Sequence, residues 1–255
     1  MSKLTIDEIA ARLRKAGIEN ARLEARWLYE DAPDEKTLAA WVKRREAGEP
    51  LQYVEGFAYF MGHRFQVDGR VLIPRPDTEI LAETAINYLE KMESPSVLDM
   101  CTGSGALAVS IARARRDAIV TAVDISEDAL CVARKNGTDT AVRFVKSDLF
   151  AEVEGEFDVI VCNPPYLTSD DMDELQSEVR QEPALALFGG EDGLDFYRRM
   201  ANELPKRMKH AAFFEVGMGQ AADVKEIMQA AVPGRCEIFC DLAGIERVVM
   251  IEKPI

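Results

Sequence analysis

The residues best suited to chemistry in this chain are Asn163, Pro164, Pro165 and Tyr166, which follow the run Phe157-Asp158-Val159-Ile160-Val161-Cys162. That run has the apolar, β-branched composition of a buried strand, and two prolines, which lack an N–H donor, end its ladder. Asn163 is therefore expected at the carboxyl end of a strand, where open α/β sheets bind their ligands. Its side chain both accepts and donates, the Pro164 carbonyl only accepts, and Tyr166 offers a flat face. Such a set fits a planar NH2 group gripped by two acceptors. The plainer alternative is a strand end running into a Pro-rich turn, with Asn163 capping its own backbone.

A second set lies upstream. The stretch Val97-Leu98-Asp99-Met100-Cys101-Thr102-Gly103-Ser104-Gly105-Ala106 reads as a strand, a tight glycine turn and a helix start, and such glycines let backbone approach a ligand closely. A phosphate-binding G-x-G-x-x-G would need a third glycine where Ala108 stands. The acid-first pattern of Asp99, Gly103 and Gly105 suits instead a cationic amino-acid moiety lying across the turn. Asp124 ends the next strand, placed to accept from two ribose hydroxyls. Asp148, at the end of the third, suits an adenine amino group, with Leu149 packing on the ring. One such acid alone reads as a helix cap; three in register at successive strand ends do not.

These residues need a sheet to hold them. Seven strands are expected at 97–101, 119–124, 142–146, 157–162, 211–216, 236–240 and 247–252, most of them separated by helices such as 127–136, closed by Gly137. This rhythm gives an α/β, doubly wound, mostly parallel sheet, with the last two strands paired antiparallel at one edge. Upstream, Thr5 and Glu8 form a capping box, Gly17 ends the first helix, Asn20 caps a second, and a third over roughly 35–47 closes at Gly48. Residues 1–56 thus form a small helical domain for recognising a partner. Residues 57–76 form a β-hairpin linker, and 77–255 the main domain. Within Ile73-Pro74-Arg75-Pro76-Asp77-Thr78-Glu79, two prolines stiffen the strand exit and Asp77 or Thr78 caps the next helix. Arg75, held rigidly there, is either a surface charge or a ligand contact.

The 255 residues are 47% hydrophobic and 30% charged, ordinary for a soluble globular chain. A net charge of −14 disfavours long-range attraction to nucleic acid or anionic membrane. Five scattered cysteines and two histidines, none at zinc-ligand spacing, point to reduced thiols, a cytoplasmic setting and no structural metal. The first residues lack the apolar core of a signal peptide, and no run is long and apolar enough to span a bilayer. A monomer is expected.

Taken together, the turn, Asp124, Asp148 and Asn163-Pro164-Pro165-Tyr166 resemble a Rossmann-like class I S-adenosylmethionine-dependent methyltransferase acting on an exocyclic or amide nitrogen. Within that group the chain is similar to the HemK/PrmC family of release-factor glutamine N5-methyltransferases. The specific blocks are Arg44-Arg45-Glu46-Ala47-Gly48-Glu49-Pro50-Leu51-Gln52-Tyr53, then residues 73–79, then Glu182-Pro183-Ala184-Leu185-Ala186-Leu187-Phe188-Gly189-Gly190-Glu191-Asp192-Gly193-Leu194. The resemblance covers nearly the whole chain. It implies methyl transfer to the glutamine of the Gly-Gly-Gln loop of class-1 peptide-chain release factors. It further implies cofactor contacts from Asp99, Cys101, Thr102, Gly103, Ser104, Gly105, Asp124, Asp148, Leu149 and Asn163. Substrate contacts would come from Asn163, Pro164, Pro165, Tyr166 and Arg75, with Asn163, Pro164 and Tyr166 catalytic. Cys101 departs from the family, which usually has glycine there.

Three other readings stand beside this one. An adenine-N6 or guanine-N2 nucleic-acid methyltransferase faces the same chemical problem, but the acidic balance and short helical region oppose it. A ribosomal-protein glutamine methyltransferase is a sister possibility, which residues 75–79 disfavour. A non-catalytic nucleotide-binding module leaves Asn163-Pro164-Pro165-Tyr166 without a role.

Overall fold

The computed structural model describes residues 4–254; Met1, Ser2, Lys3 and Ile255, at the outer edges of the expected domains, lie outside the described residues. Four helices come first: α1 (Ile6–Lys15), α2 (Ala21–Asp31), α3 (Glu35–Glu46) and α4 (Leu51–Glu55). The capping box forms as the sequence requires. The Thr5 hydroxyl accepts from the Glu8 N–H at 3.3 Å, and the Glu8 carboxylate accepts from the Thr5 N–H at 2.8 Å. Asn20 stands at the start of α2 but makes no capping bond through its side chain, contrary to expectation. Helix α4 was not foreseen, because five residues are too short to show a period. Ile9, Leu13, Leu28, Leu38 and Val42 close a small core among these helices.

A hairpin follows, β1 (Phe57–Phe60) paired antiparallel with β2 (His63–Gln66). Its far strand is tied to the main body by Asn136, whose Oδ1 accepts from the Gln66 N–H at 2.7 Å and whose Nδ2 donates to the carbonyls of Gln66 and Ser104. Helix α5 (Pro76–Leu89) then begins with proline in its first turn, a position where the missing N–H costs nothing. The expected cap at Asp77 or Thr78 is not there. Both residues lie inside the helix, Arg75 precedes it without a side-chain cap, and the Thr78 hydroxyl is used elsewhere.

The main sheet comprises β3 (Ser96–Met100), β4 (Ile119–Asp124), β5 (Arg143–Lys146), β6 (Phe157–Cys162), β7 (Met208–Glu215), β8 (Arg235–Cys240) and β9 (Glu246–Glu252), in spatial order β5-β4-β3-β6-β7-β9-β8. Neighbours from β5 to β7 run parallel. β9 runs antiparallel to both β7 and β8, so the last hairpin inserts its second strand and leaves β8 at the edge. Helices α6 (Ala106–Ala114), α7 (Glu127–Asn136), α9 (Asp195–Arg207) and α10 (Ala221–Ala231) cover the sheet. On one face Tyr197, Met200, Leu204, Val224 and Met228 pack on Leu98, Ile160 and Phe214. On the other, Leu81, Ala85, Val109 and the hairpin's Phe60 and Phe65 pack on Val97, Val159 and Phe213. Strands buried on both faces explain why their sequences are almost continuously apolar. The strand order reverses between β3 and β6, and a ligand crevice belongs above that point.

Candidate active site

The turn after β3 shows why its residue types matter. Gly105 begins α6 at φ +79°, and a Cβ there would come within 3.0 Å of the Ala133 Cβ. Gly103 has open space where its side chain would be. Cys101 has φ +59°, a left-handed conformation that costs most L-residues about 1–2 kcal/mol and glycine almost nothing. The Asp99 carboxylate lies beneath the turn, 1% exposed. It accepts from the Thr102 hydroxyl at 2.5 Å and from the Ala108 N–H at 3.2 Å. Burial pushes its pKa up to about 7.

Asp124 ends β4 beside the turn. One carboxylate oxygen accepts from the Gly103 N–H at 2.8 Å and the other from the Ser126 N–H at 2.9 Å, while burial raises its pKa. The expected register of three acids does not hold. Asp99 pairs across the ladder with Ala122, two positions short of Asp124, so it sits deeper. Asp148 lies just beyond β5, about half exposed, and is already paired with Arg199 of α9 at 2.7 Å. Leu149 takes φ +50° in a turn stapled by the Ser147 hydroxyl, which donates to the Leu149 carbonyl at 2.6 Å.

Asn163 directly follows β6, and Pro164 and Pro165 after it are buried. Its Nδ2 donates to the Thr78 hydroxyl of α5 at 3.1 Å. Tyr166 turns its hydroxyl toward Glu215 at the end of β7, 3.4 Å away, and its carbonyl accepts from Gln220 at 2.9 Å. The chain then runs through the short helix α8 (Ser169–Glu174) and two 3-10 turns, and comes back over the site. Leu167 and Gly189 stitch the two ends of this loop together with backbone bonds of 2.9 and 2.8 Å. Gly189 is essential to that closure, since a Cβ would meet the Pro165 carbonyl at 2.7 Å. Glu182, buried in the loop, pairs with Arg75 and accepts from the Ile73 N–H at 3.0 Å. Farther out, Arg45 of α3 reaches across to Glu178 at 2.6 Å, so the helical domain is clasped to the same loop.

Three adjoining cavities result. The first, about 200 Å³, is lined by Cys101, Gly103, Asp124, Asp148, Leu149, Asn163 and Pro165. The second, about 60 Å³, adds Asp99, Thr102, Ser104 and Arg75. The third, about 170 Å³, is bounded by Asn163, Pro164, Tyr166, Arg75, Leu167 and Leu187. Asn163 lines all three. Among the site residues expected from sequence, Gly105 alone lines none of them and supports the turn from behind. Sequence reasoning missed Thr78 as a partner of Asn163, Glu215, Glu182, and the cavity walls Phe196 and Arg199. Thr78 and Glu182 lie in blocks that carry the family resemblance, but nothing in those blocks shows what their side chains bond, and no local pattern marks Glu215, Phe196 or Arg199. A wider cleft of about 840 Å³ near the hairpin, lined by His63, Arg64, Arg113 and Arg116, contains none of the site residues.

A sheet of this order, with its final strand reversed and inserted and a glycine turn opening onto acids of the next strands, is the fold of class I methyltransferases. The methyltransferase small domain model matches residues 77–184. The chain is 36% identical to the release factor glutamine methyltransferase of Deinococcus radiodurans across 97% of both chains. It is 38% identical to that of Bacillus cereus across 86% of this chain and 81% of the relative. The chain belongs to the release factor glutamine methyltransferase family. In fold it also resembles a T. thermophilus 16S rRNA N2 G1207 methyltransferase solved with AdoMet and guanosine, at TM-score 0.55 and 19% identity over 78% of this chain and 50% of that one. No helix among the described residues is long and apolar enough to cross a membrane.

Proposed function

We propose that this chain transfers a methyl group from S-adenosylmethionine to the side-chain amide nitrogen of the Gly-Gly-Gln glutamine in a class-1 release factor. The observation that carries this reading is the position of Asn163, which forms a shared wall between the cavity bordered by Asp124, Asp148 and Leu149 and the adjoining pocket bordered by Pro164 and Tyr166. The residues present fit the cofactor. Asp99 and Asp124 are acids raised by burial, with no lysine or arginine among the groups that shift them, so a cationic ligand relieves their environment. Gly103 leaves room for close approach, and Asp124 keeps a free lone pair on each oxygen for a ribose diol. Leu149, Phe196 and Ile125 supply apolar walls for a base, and Asp148 lies at its edge.

S-adenosylmethionine, when bound, would supply an electrophilic methyl: a C–N bond would form on the glutamine nitrogen as the C–S bond breaks, sulfur would keep the pair, and the nitrogen would lose one proton to solvent water. The protein's task is to orient a poor nucleophile. A glutamine nitrogen shares its lone pair with its own carbonyl. With Asn163 Oδ1 and the Pro164 carbonyl accepting its two N–H bonds, that lone pair is turned toward the cofactor cavity, and positioning provides most of the acceleration. Tyr166 closes the pocket and Arg75, fixed by Glu182, lines its mouth. The helical domain, residues 1–56, docks the release factor; residues 57–76 link it to the methyl-transfer domain at 77–255.

The test is mass spectrometry of release factor incubated with enzyme and isotopically labelled S-adenosylmethionine. The expected product carries one added methyl on the Gly-Gly-Gln glutamine. Label on a ribosomal protein or on nucleic acid with none on release factor overturns the reading.

A further inference from the structure

Behind Asn163 lies a buried polar chain that the transfer step itself does not use. Asn163 Nδ2 donates to Thr78 Oγ1 at 3.1 Å, and Thr78 is buried. The Thr78 hydroxyl sits beside the carboxylate of Glu215, close enough to lower its pKa but without completing a well-aligned hydrogen bond. Glu215 is 2% exposed; Oε1 faces the Tyr166 hydroxyl at 3.4 Å and Oε2 is buried without a partner. We propose that Thr78 and Glu215 are positioning residues for methyl transfer, which lock the Asn163 carboxamide with its oxygen facing the substrate pocket.

The argument is one of donors and acceptors. A hydroxyl has one proton and two lone pairs, whereas an ionised carboxylate only accepts. No hydrogen bond from Thr78 to Glu215 is formed in the structure, but Glu215 Oε2 is buried without a partner and is the acceptor open to the Thr78 proton. With the proton turned there, Oγ1 can only accept from Asn163. The NH2 end of Asn163 must face Thr78, and its Oδ1 must point the other way. An oxygen there accepts an N–H from the incoming glutamine; an NH2 in its place would oppose that N–H donor to donor. The two carboxamide orientations are nearly equal in shape, so packing alone does not choose between them. The same carboxylate draws in the Tyr166 hydroxyl, so one buried acid orders both side chains that flank the substrate amide.

Protonation removes the bias, because a carboxylic acid also donates. Several groups face Glu215. Thr78 and Asp77 lie on α5, and Arg247 on β9 pairs with Asp77 at 2.9 Å; Tyr166 lies after β6. Cys162 ends β6, and Tyr197 on α9 donates to the Glu215 carbonyl at 2.7 Å. Burial outweighs the lowering contacts and holds the Glu215 pKa up to about 7. The lock therefore weakens as pH falls through that value.

The inference rests on the methyl-transfer reading above, and its test separates the two. The whole enzyme, wild type and Thr78→Val, Thr78→Ser and Glu215→Gln, is assayed on release factor at saturating S-adenosylmethionine from about pH 6 to about pH 9, with cofactor affinity measured by calorimetry. Thr78→Val should lose about 10- to 100-fold in kcat, the scale of a misplaced reacting group, with KM and cofactor affinity within about twofold. Thr78→Ser should recover to within about threefold of wild type, and Glu215→Gln should be slow and lack the wild-type fall in kcat on the acid side. In parallel, the Asn163 side-chain amide of 15N-asparagine-labelled protein should titrate near pH 7 in the wild type and not in Glu215→Gln. A fully active Thr78→Val, a serine variant no better than valine, a loss confined to KM, or an Asn163 amide titration that persists in Glu215→Gln overturns the lock. A wild type that shows the amide titration but leaves release factor unmethylated supports the lock and overturns the substrate reading alone.

Discussion

Asp124→Ala is the most direct probe of the cofactor cavity. The carboxylate accepts from the Gly103 and Ser126 N–H groups, one on each oxygen, and borders the first cavity. A ribose diol on the remaining lone pairs makes charge-assisted bonds, together about 1.5–3 kcal/mol once exchange with water is counted. Removing the side chain also leaves the Gly103 N–H unpaired in the turn that lines the same cavity, costing about 1 kcal/mol more. The sum is about 3 kcal/mol, or roughly 150-fold in Kd. Asp124→Asn should do little better, since its NH2 must oppose one of the two backbone N–H groups. Calorimetric titration with S-adenosylhomocysteine measures both, and near-wild-type melting of the apo proteins excludes general unfolding. A Kd within about threefold of wild type in both variants would refute the assignment of Asp124 to the ribose.

Three further outcomes follow from the geometry. Asn163→Ala should retain most cofactor affinity yet methylate about 100- to 1000-fold more slowly, as when a preorganised polar contact is lost. Acceptance alone would favour Asn163→Asp over alanine, but the donor to Thr78 is also lost and a second acid joins Glu215. Aspartate should therefore be no faster than alanine, and a clearly faster aspartate enzyme contradicts the role given to Thr78. Arg45→Met strands Glu24, 12% exposed, and should cost about 3–5 kcal/mol in urea unfolding. Glu178→Ala, with its side chain 39% exposed, should cost at most about 1 kcal/mol, and equal effects would contradict the burial of the Arg45–Glu24 pair. Burial raises Asp99, Glu215 and Glu55 from ordinary carboxyl values to about 7. Since the folded pKa is the higher, the linked stability is full below the unfolded values and is lost as pH rises toward 7. The apo protein should resist urea better at about pH 5 than at about pH 8, with a smaller difference in Asp99→Asn. A wild type that stabilises over that interval would contradict these shifts.

What the sequence determined by itself is what neighbouring residues settle. Strand β6 spans Phe157–Cys162 as read from its composition, because an apolar run and the first Pro N leave the ladder no other end. Helix α7 begins after Ser126, whose hydroxyl caps it, and ends at Asn136 before Gly137. The glycine turn was legible for the same reason, as was the place of Asn163 at a strand end. The family resemblance extended this to substrate and cofactor. What only the tertiary structure decided depends on contacts between distant residues. Asn163 and Thr78 lie 85 positions apart, and nothing near Thr78 distinguishes a helix cap from a hydrogen-bond partner of a residue at a distant strand end. Glu215 reads as the polar end of an apolar strand until β6 and α5 pack around it and bury its carboxylate. Asp99 looked level with Asp124 because strand ends cannot be aligned without the ladder that pairs Asp99 with Ala122. The insertion of β9 beside β7 likewise follows from sheet packing, since the turn between β8 and β9 fixes only that these two strands pair. Local chemistry specified the elements and the place of the Asn163 amide; the orientation of that amide is set by side chains that only the folded sheet brings together.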